Sequence, residues 1–369
     1  MTNLTFQVRN FIYLFVFYRR RFVNSKLVCN LIFLTTFSFQ VSMLIIQGLP
    51  TKLTKHFSFN SLKSMSSVYN KMEDSCMLKS VKACIPPLDL TSHKGQAGRI
   101  GVIGGSIEYT GAPYFAGISA LKVGADLSHI FCTKDSATVI KSYSPELIVH
   151  PLLDFPNAVT EISQWFERLH AIVIGPGLGR QKETFHVVTE LIEVIREKRI
   201  PLIIDADGLF LITEKTHLLK EFMSPVILTP NKIEFDRLCA KTNGPSGLSQ
   251  LGKYVTVFKK GPIDEVYSVD PGVQWKSNVG GSGRRCGGQG DLLSGAIAVM
   301  MNWTLANRDK IEIETCGDKV LLSSSLSCYA ASRLIRLCNE KAFAVKGRSM
   351  VASDMIEYIH ESFEHLFGQ

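Results

Sequence analysis

The sequence predicts an α/β protein of three layers, in which helices cover both faces of a central, mostly parallel sheet. Short apolar runs rich in Val and Ile alternate with longer segments of helical periodicity. The runs are continuously apolar, which is typical of strands buried on both faces. Strands and helices that alternate in this way form a parallel sheet, because parallel neighbours need a long crossover connection.

Six segments are predicted to be strands of this sheet, and one more is predicted to be a pair of short edge strands joined by a turn. The six are RIGVIGG (99–105), LSHIFC (127–132), AIVIGPG (171–177), PLIIDADG (201–208), PVILTPN (225–231) and YVTVFKKG (254–261). The edge pair is EVYSVDPGVQWKSN (265–278).

Seven segments have helical periodicity: four lie between the predicted strands, and three make the last third of the chain helical. They are APYFAGISALKVGA (112–125), NAVTEISQWFERLH (157–170), KETFHVVTELIEVIREKR (182–199), NKIEFDRLCAK (231–241), LLSGAIAVMMNWTLANR (292–308), KVLLSSSLSCYAASRLIRLCNE (319–340) and VASDMIEYIHESFEHLF (351–367). No repeat or second domain interrupts this order, so we predict one domain over residues 73–369.

Residues 1–72 form a leader of different composition. They hold nine Lys or Arg and no Asp or Glu, so the net charge of +8 leaves about −1 for residues 73–369. Three interpretations are open: a transit peptide, a signal anchor built on the apolar residues 27–46, or a start codon assigned too early, with the true start near Met65 or Met72. We expect a leader that is disordered or removed and a mitochondrial location, with a cytoplasmic one as the alternative. Membrane contact is expected only if the leader is retained.

Charge and missing motifs exclude several functional classes. Because the positive charge lies in the leader, the rest of the chain has no basic face for nucleic acid. The nine cysteines form no CxxC pair, which argues against a zinc site or a disulfide framework. The sequence contains no P-loop, HExxH or GxSxG motif, and GPGLGR (175–180) has Arg180 where a dinucleotide fingerprint needs its last glycine.

Most of the stretches rich in Gly, Asp and Asn follow predicted strands. In an open parallel sheet, ligands bind in the crevice beyond the carboxyl ends of the strands. The sequence therefore predicts a binding crevice built from GGSIEYTG (104–111), GPGLGR (175–180), DADG (205–208), TPNKIE (229–234) and KKGPID (259–264).

The segment GGSGRRCGGQGD (280–291) is the strongest indication of an anion site. Seven of its twelve residues are Gly or Ser, and an apolar helix follows. Glycines let several backbone N–H groups turn toward an anion, and a helix start adds partial positive charge. Arg284 and Arg285 offer further charge for phosphates. The alternative is a flexible loop in which Asp291 caps the helix, worth about 1 kcal/mol, but a cap alone does not call for six glycines and two arginines.

The NKIE segment (231–234) has two interpretations. Asn231 and Glu234 share one helical face, so both could reach a hydrated Mg²⁺ or its phosphate ligands. Alternatively, Asn231 caps the helix and Glu234 is its capping-box partner, which is the interpretation that the spacing alone favours.

Two further stretches are equally ambiguous. Asp205 and Asp207 either orient metal-bound water or form a turn before Gly208. Lys259 and Lys260 either bind phosphate or are solvated lysines at a strand exit.

Together these motifs resemble one superfamily. GGSGRRCGGQGD is similar to the glycine-rich anion hole and catalytic aspartate of ribokinase-like kinases, and NKIE to their N-x-x-E element. Within that superfamily the chain resembles the ATP-dependent NAD(P)H-hydrate dehydratase family from about His93 to its C-terminus. The matching blocks are residues 93–132, KSYSPELIVHP, GPGLGR, IDADGL, LTPNKIEF and RRCGGQGDLLSG.

The resemblance implies a ribokinase-like catalytic domain that restores NADH or NADPH from its 6-hydroxylated hydrate at the expense of ATP. It implies Mg²⁺ bound with ATP, with no direct protein ligands or with contact through Glu234. The implied contacts to the hydrate are Gly177, Asn231, Lys232, Ile233, Glu234, Phe235, Asp236, Arg237 and Asp291. The implied contacts to ATP are Lys260, Gly261, Pro262, Ile263, Asp264, Gly281, Ser282, Gly283, Arg284, Arg285, Cys286, Gly287, Gly288, Gln289 and Gly290.

Asp291 is the catalytic residue that the resemblance implies. It would accept the proton of the hydrate's hydroxyl as general base, and its place at a helix start is expected to keep it ionised. Two alternatives stay open: a ribokinase-like kinase of a vitamin or sugar alcohol, and a nucleotide-binding protein without catalysis that its leader recruits to membranes. A homo-oligomer is compatible with the sequence.

Overall fold

A computed structural model describes residues 72–368 and shows one mixed sheet. Its strands are β1 (Arg99–Ile103), β2 (Leu127–Cys132), β3 (Ile148–Pro151), β4 (Ala171–Ile174), β5 (Leu202–Ile204), β6 (Val226–Leu228), β7 (Val255–Lys259), β8 (Asp264–Tyr267) and β9 (Lys276–Ser277). Their spatial order is β3-β2-β1-β4-β5-β6-β7-β8-β9. The first seven are parallel, and β8 and β9 extend one edge antiparallel.

The helices lie in two layers. In chain order they are α1 (Asp74–Cys84), α2 (Gly111–Val123), α3 (Lys134–Tyr143), α4 (Ala158–Phe166), α5 (Lys182–Glu197), α6 (Ala206–Glu214), α7 (Lys232–Lys241), α8 (Gln289–Ala306), α9 (Lys319–Lys346), α10 (Ala352–Ile356) and α11 (Ile359–Phe367). The buried residues of α4 to α7 share one hydrophobic core, and those of the other helices share a second.

The central strands supply both cores at once. In β4, Ala171 and Val173 lie in one core, and Ile172 and Ile174 lie in the other. Successive side chains of a strand point to opposite faces, so a strand covered on both faces must be apolar at every position. This explains the continuous apolar runs and confirms the predicted fold class.

The predicted strands and edge pair all form, but four elements were not predicted. β3 is only four residues long, lies at the sheet edge and ends on Pro151, so its apolar signal is weak. α1, α3 and α6 are the others; α6 begins directly after Asp205, inside the segment 201–208 that was predicted to be a strand. The last predicted helix is divided into α10 and α11.

The three interpretations of the leader concern residues 1–72. Residues 1–71 lie outside the described part of the chain, which begins at Met72. Within the described part, no helix has the length and apolar character needed to cross a bilayer. The assignment of residues 73–369 to one domain stays a prediction.

Helix α8 crosses the interior closely packed against α2. A Cβ atom at Gly295 would lie 2.1 Å from the carbonyl oxygen of Ala116, so only glycine permits this approach. Ser119 Oγ, also on α2, donates to the carbonyl oxygen of Leu292 at 2.7 Å. These contacts fix the position of the first turn of α8, which matters for the site described below.

We predict that Gly295→Ala destabilises the protein although alanine is normally the better helix former. The added methyl group cannot fit against the backbone of α2, and overpacking of this kind costs about 1–3 kcal/mol. The free energy of unfolding, measured by denaturant titration, reports the loss. Gly317→Ala is the control, because its Cβ would meet no atom within 4 Å. Equal stability of the two variants would contradict the packing described here.

Candidate active site

The loops that follow β1, β4, β5, β6 and β7 lie side by side, as the sequence predicted. Gly105 N donates to the carbonyl oxygen of Gly177 at 3.1 Å, and Asp205 N donates to the last residue of β4 at 2.9 Å. Lys260 N donates to the carbonyl oxygen of Pro230 at 2.8 Å. Backbone hydrogen bonds therefore join neighbouring loops into one crevice.

A buried ion pair lies at the floor of this crevice. Lys260 Nζ is 2.7 Å from Asp205 Oδ1, and the two side chains are 19% and 3% exposed. A Cβ atom at Gly290 would lie 3.2 Å from Lys260 Nζ and 3.7 Å from Asp205 Oδ2. The pair thus joins the ends of β5 and β7 and lies against the first turn of α8.

The surrounding carboxylates keep the ammonium group of Lys260 charged. Burial favours the neutral amine, but Asp205, Glu234 and Asp291 attract the ammonium, and together they raise the pKa of Lys260. The interpretation of Lys260 as a solvated lysine is wrong. Asp205 Oδ1 also accepts a hydrogen bond from Ala206 N at 2.9 Å, so this carboxylate caps α6 as well.

Asp291 is the third residue of α8, and Gly288 occupies the cap position. The alternative in which Asp291 caps the helix is therefore wrong. Burial and the negative charge of Asp205 together raise the pKa of Asp291 to about 7, against the opposing charge of Lys260. The expectation that the helix start keeps Asp291 ionised is also wrong, because the loss of solvation outweighs the helix dipole.

Asn231 and Glu234 form the capping box that their spacing favoured. Asn231 Oδ1 accepts from the N–H groups of Ile233 and Glu234 at 2.9 and 3.1 Å, and Glu234 Oε2 accepts from Asn231 N at 2.8 Å. Burial nevertheless raises the pKa of Glu234, and the charge of Lys260 acts against the rise. Glu234 therefore belongs to the same group of charges as well as to the helix cap.

Three carboxylates, Asp205, Glu234 and Asp291, thus surround one ammonium, that of Lys260. An excess of negative charge suits a divalent cation. Among residues 72–368, no group of three or more His, Cys, Asp or Glu could hold a metal by itself. The arrangement fits Mg²⁺, which usually keeps several waters and binds one or two carboxylates together with substrate phosphates.

The glycine-rich segment 280–290 arches over the start of α8. Gly288 has φ +89°, and a Cβ atom there would lie 2.7 Å from Cβ of Ala352, so this turn requires glycine. At Gly283 and Gly287 a Cβ atom would meet nothing within 4 Å. The backbone of the segment therefore borders open space, as a phosphate-binding loop requires.

Helix α9 holds the two segments that were expected to bind ATP. Arg336 Nε donates to Asp264 Oδ2 at 2.8 Å, and its two terminal nitrogens donate to the carbonyl oxygens of Gly280 at 3.0 Å and Gly261 at 2.7 Å. Both side chains of the ion pair are largely buried. One guanidinium group thus fixes segments 260–264 and 280–283 relative to each other.

Two neighbours on α9 complete this clamp. Ser332 Oγ donates to Asp264 Oδ2 at 2.7 Å, and Asn339 Oδ1 accepts from both N and Oγ of Ser282, each at 2.7 Å. Sequence reasoning missed Ser332, Arg336 and Asn339. Their spacing, which puts all three on one helical face, was the available signal.

The other predicted site residues fall into three groups. The side chains of the first group are engaged within the protein. Asp264 pairs with Arg336, and Phe235 is buried in the core at 4% exposure. Lys232 and Asp236 form a surface ion pair at 2.7 Å. Those in the second group donate to backbone carbonyls and brace the glycine-rich segment, namely Arg284, Arg285 and Gln289. The third group has exposed or partly exposed surface and includes Ile233, Arg237, Gly261, Pro262, Ile263, Gly281, Ser282 and Cys286.

The chain is similar to known proteins over most of its length. The family described as NAD(P)H-hydrate dehydratase matches residues 100–361. The chain belongs to this family. An ATP-dependent (S)-NAD(P)H-hydrate dehydratase of Aedes aegypti is 52% identical over 293 residues, 79% of this chain and 85% of the relative.

Solved structures confirm the fold. A ribokinase-like superfamily protein of Enterococcus faecalis has a TM-score of 0.62 at 18% identity, over 79% of this chain and 95% of its own. An ADP/ATP-dependent NAD(P)H-hydrate dehydratase of Bacillus subtilis, co-crystallised with ATP and Mg²⁺, has a TM-score of 0.59 at 22% identity, over 78% and 97%. The predicted ribokinase-like architecture is therefore confirmed.

We predict that Arg336→Met raises the KM for ATP by about tenfold, equivalent to about 1.4 kcal/mol of binding free energy. Loss of the guanidinium group frees both loops, which must then be ordered when ATP binds. Arg336→Lys should recover part of the affinity, because a lysine keeps the charge but not the three-way hydrogen bonding.

Arg333→Met is the matched control on the same helix. Arg333 pairs with Asp74, away from both loops, at 2.6 Å. Steady-state kinetics should show a KM for ATP within about twofold of the unsubstituted protein. The clamp would be contradicted by an unchanged KM in Arg336→Met, or by an equal rise in both variants.

Proposed function

We propose that the protein dehydrates the (S)-hydrate of NADH or NADPH with ATP and so restores the dinucleotide. Membership of the family supports the reaction. The observation that carries the proposal is the group formed by Asp291, Asp205 and Lys260 at the start of α8, beside the glycine-rich segment. This arrangement supports a role for Asp291 as general base next to a site for phosphates.

The chemistry explains why ATP is needed. Hydroxide is a poor leaving group, so the hydroxyl on C6 of the hydrate must first be activated. Transfer of the terminal phosphoryl group of ATP to that oxygen gives ADP and a phosphoester, and the hydroxyl proton leaves to a base. The lone pair of the ring nitrogen then expels phosphate, and loss of a proton from C5 restores the dihydronicotinamide.

Asp291 is the base in this scheme. A general base is most effective when its pKa lies near the working pH, and burial together with the charge of Asp205 raises the pKa of Asp291 to about 7. Lys260 holds the ionised form in place without neutralising it fully. The carboxylate can thus take a proton from the hydroxyl and pass it to solvent.

The glycine-rich segment and the start of α8 would bind the phosphates of ATP. Their N–H groups and the helix dipole are oriented before the ligand arrives, so they stabilise charge on the transferring group at little reorganisation cost. Glu234 and Asp205 are the carboxylates that would hold a hydrated Mg²⁺. When bound with ATP, Mg²⁺ would supply screening of the phosphate charges.

For the leader, we propose a mitochondrial transit peptide, on its composition alone: nine Lys or Arg and no acidic residue in positions 1–72. A fusion of these residues to a fluorescent protein tests this. Import with cleavage supports the proposal, and a cytoplasmic or membrane-bound fusion contradicts it.

We predict that the purified protein, given NADH hydrate, ATP and Mg²⁺, restores dihydronicotinamide absorbance and releases one phosphate and one ADP for each hydrate. Asp291→Asn should lose about 10²–10⁴ in turnover, the usual contribution of a general base, and should still bind ATP.

The variant also has a stability control. Because the folded protein raises the pKa of Asp291 from 3.8 to about 7, the charge of this carboxylate costs folding free energy that grows as pH rises between these two values and is complete above about pH 7. A neutral Asn should therefore unfold at the same or a higher temperature. A stable phosphoester without renewed absorbance would indicate a small-molecule kinase, and no ATP consumption at all would contradict the proposed function.

A further inference from the structure

Two arginines converge on one aromatic ring beside the crevice. The guanidinium carbon of Arg180 lies 4.4 Å from the centroid of the Phe210 ring, and that of Arg237 lies 5.5 Å from it. Arg180 follows the loop after β4, Phe210 is on α6, and Arg237 is on α7. We call these three residues the arginine platform.

The platform carries an unbalanced positive charge. Arg180 Nε pairs with Asp207 Oδ1 at 2.9 Å, and its side chain is 57% exposed. Arg237 forms no ion pair with any residue of the described range, 72–368. Asp207 compensates the charge of Arg180 only, so an anion beside Arg237 would be stabilised.

The surroundings of Phe210 add to this charge. A cavity of about 310 Å³ borders the ring, and its lining includes Phe185, the two lysines Lys182 and Lys215, and one carboxylate, Glu214. The phenyl rings of Phe185 and Phe210 are stacked at 6.2 Å. An apolar wall edged by cations is typical of a site for a nucleotide, which has a flat base and a charged phosphate.

The platform is continuous with the reacting centre. Asp207 Oδ2 accepts a hydrogen bond from Gly179 N at 3.1 Å, which connects the platform to the loop containing Gly177. On the other side, the charge of Arg237 acts on Glu234, one turn earlier on α7, and Glu234 interacts with Lys260. A ligand whose reacting ring lies at Asp291 can therefore extend to the platform within one crevice.

We propose that the arginine platform binds a phosphate group of the dinucleotide hydrate, on the part of the molecule away from its reacting ring. This proposal depends on the proposed function for the identity of the ligand. The glycine-rich segment serves ATP, so the second half of a dinucleotide needs anion-binding groups of its own. The phosphate is either the 2′-phosphate, present only in the NADPH form, or the pyrophosphate, present in both forms.

Arg237→Gln is the primary variant, because Arg237 has no ion pair with a described residue and its loss leaves no described carboxylate unpaired. We expect the KM for the hydrate to rise about tenfold or more, the equivalent of about 1.4 kcal/mol, while the KM for ATP stays within about twofold. Arg180→Gln should act in the same direction. Arg308→Gln, which removes a charge after the opposite end of α8, is the matched control and should change neither constant.

The two hydrates identify the phosphate. A rise confined to the NADPH hydrate assigns the platform to the 2′-phosphate, and an equal rise with both hydrates assigns it to the pyrophosphate. The proposal is overturned if both hydrates keep their KM in Arg237→Gln and Arg180→Gln, or if only the KM for ATP rises.

Titration of NADPH and NADH by fluorescence tests the platform without turnover, because these products carry the same phosphates. Arg237→Gln should raise the Kd of at least NADPH about tenfold relative to Arg308→Gln, and equal Kd values in the two variants overturn the platform. Absence of turnover in the unsubstituted protein would contradict the proposed function, and the titration would still decide the platform.

Discussion

The site depends on the buried ion pair between Lys260 and Asp205. It joins the ends of β5 and β7 under the first turn of α8, and its ammonium group lies among the carboxylates of Asp205, Glu234 and Asp291. Removing one partner of a buried pair leaves the other charge uncompensated, at a cost of about 3–5 kcal/mol. Both members of the pair also act on the pKa of Asp291, which Asp205 raises and Lys260 lowers.

The surrounding fold keeps that group of charges rigid. Helix α8 is apolar because it is packed between α2 and the neighbouring α9, and Gly295 lets it approach α2 at backbone distance. Its N-terminus, with the glycine-rich segment, provides N–H donors for phosphate. The neighbouring α9 fixes both loops through Arg336. The charged side chains, the open space beside the glycine-rich segment and the backbone N–H groups thus all lie at the N-terminus of α8.

The features that could be predicted from the sequence are those that depend on residues close together in the chain. Apolar runs predicted the central strands, and the glycines before Asp291 predicted the loop and its helix, because these signals are local. The clamp was missed because Arg336 contacts loops more than 50 residues away in sequence. The ionisation of Asp291 was predicted wrongly for the same reason, since it depends on burial and on Asp205 from another strand end.

The most direct test of this account is the pH dependence of kcat/KM for the hydrate in the unsubstituted protein and in Asp205→Asn. The free enzyme's base sets this profile, so kcat/KM should rise with pH up to about 7 and then level off. Asn at position 205 removes the negative charge that raises the pKa of Asp291 and leaves Lys260 free to lower it. The rise should therefore move to lower pH in the variant. A rise at the same pH in both proteins would contradict the account.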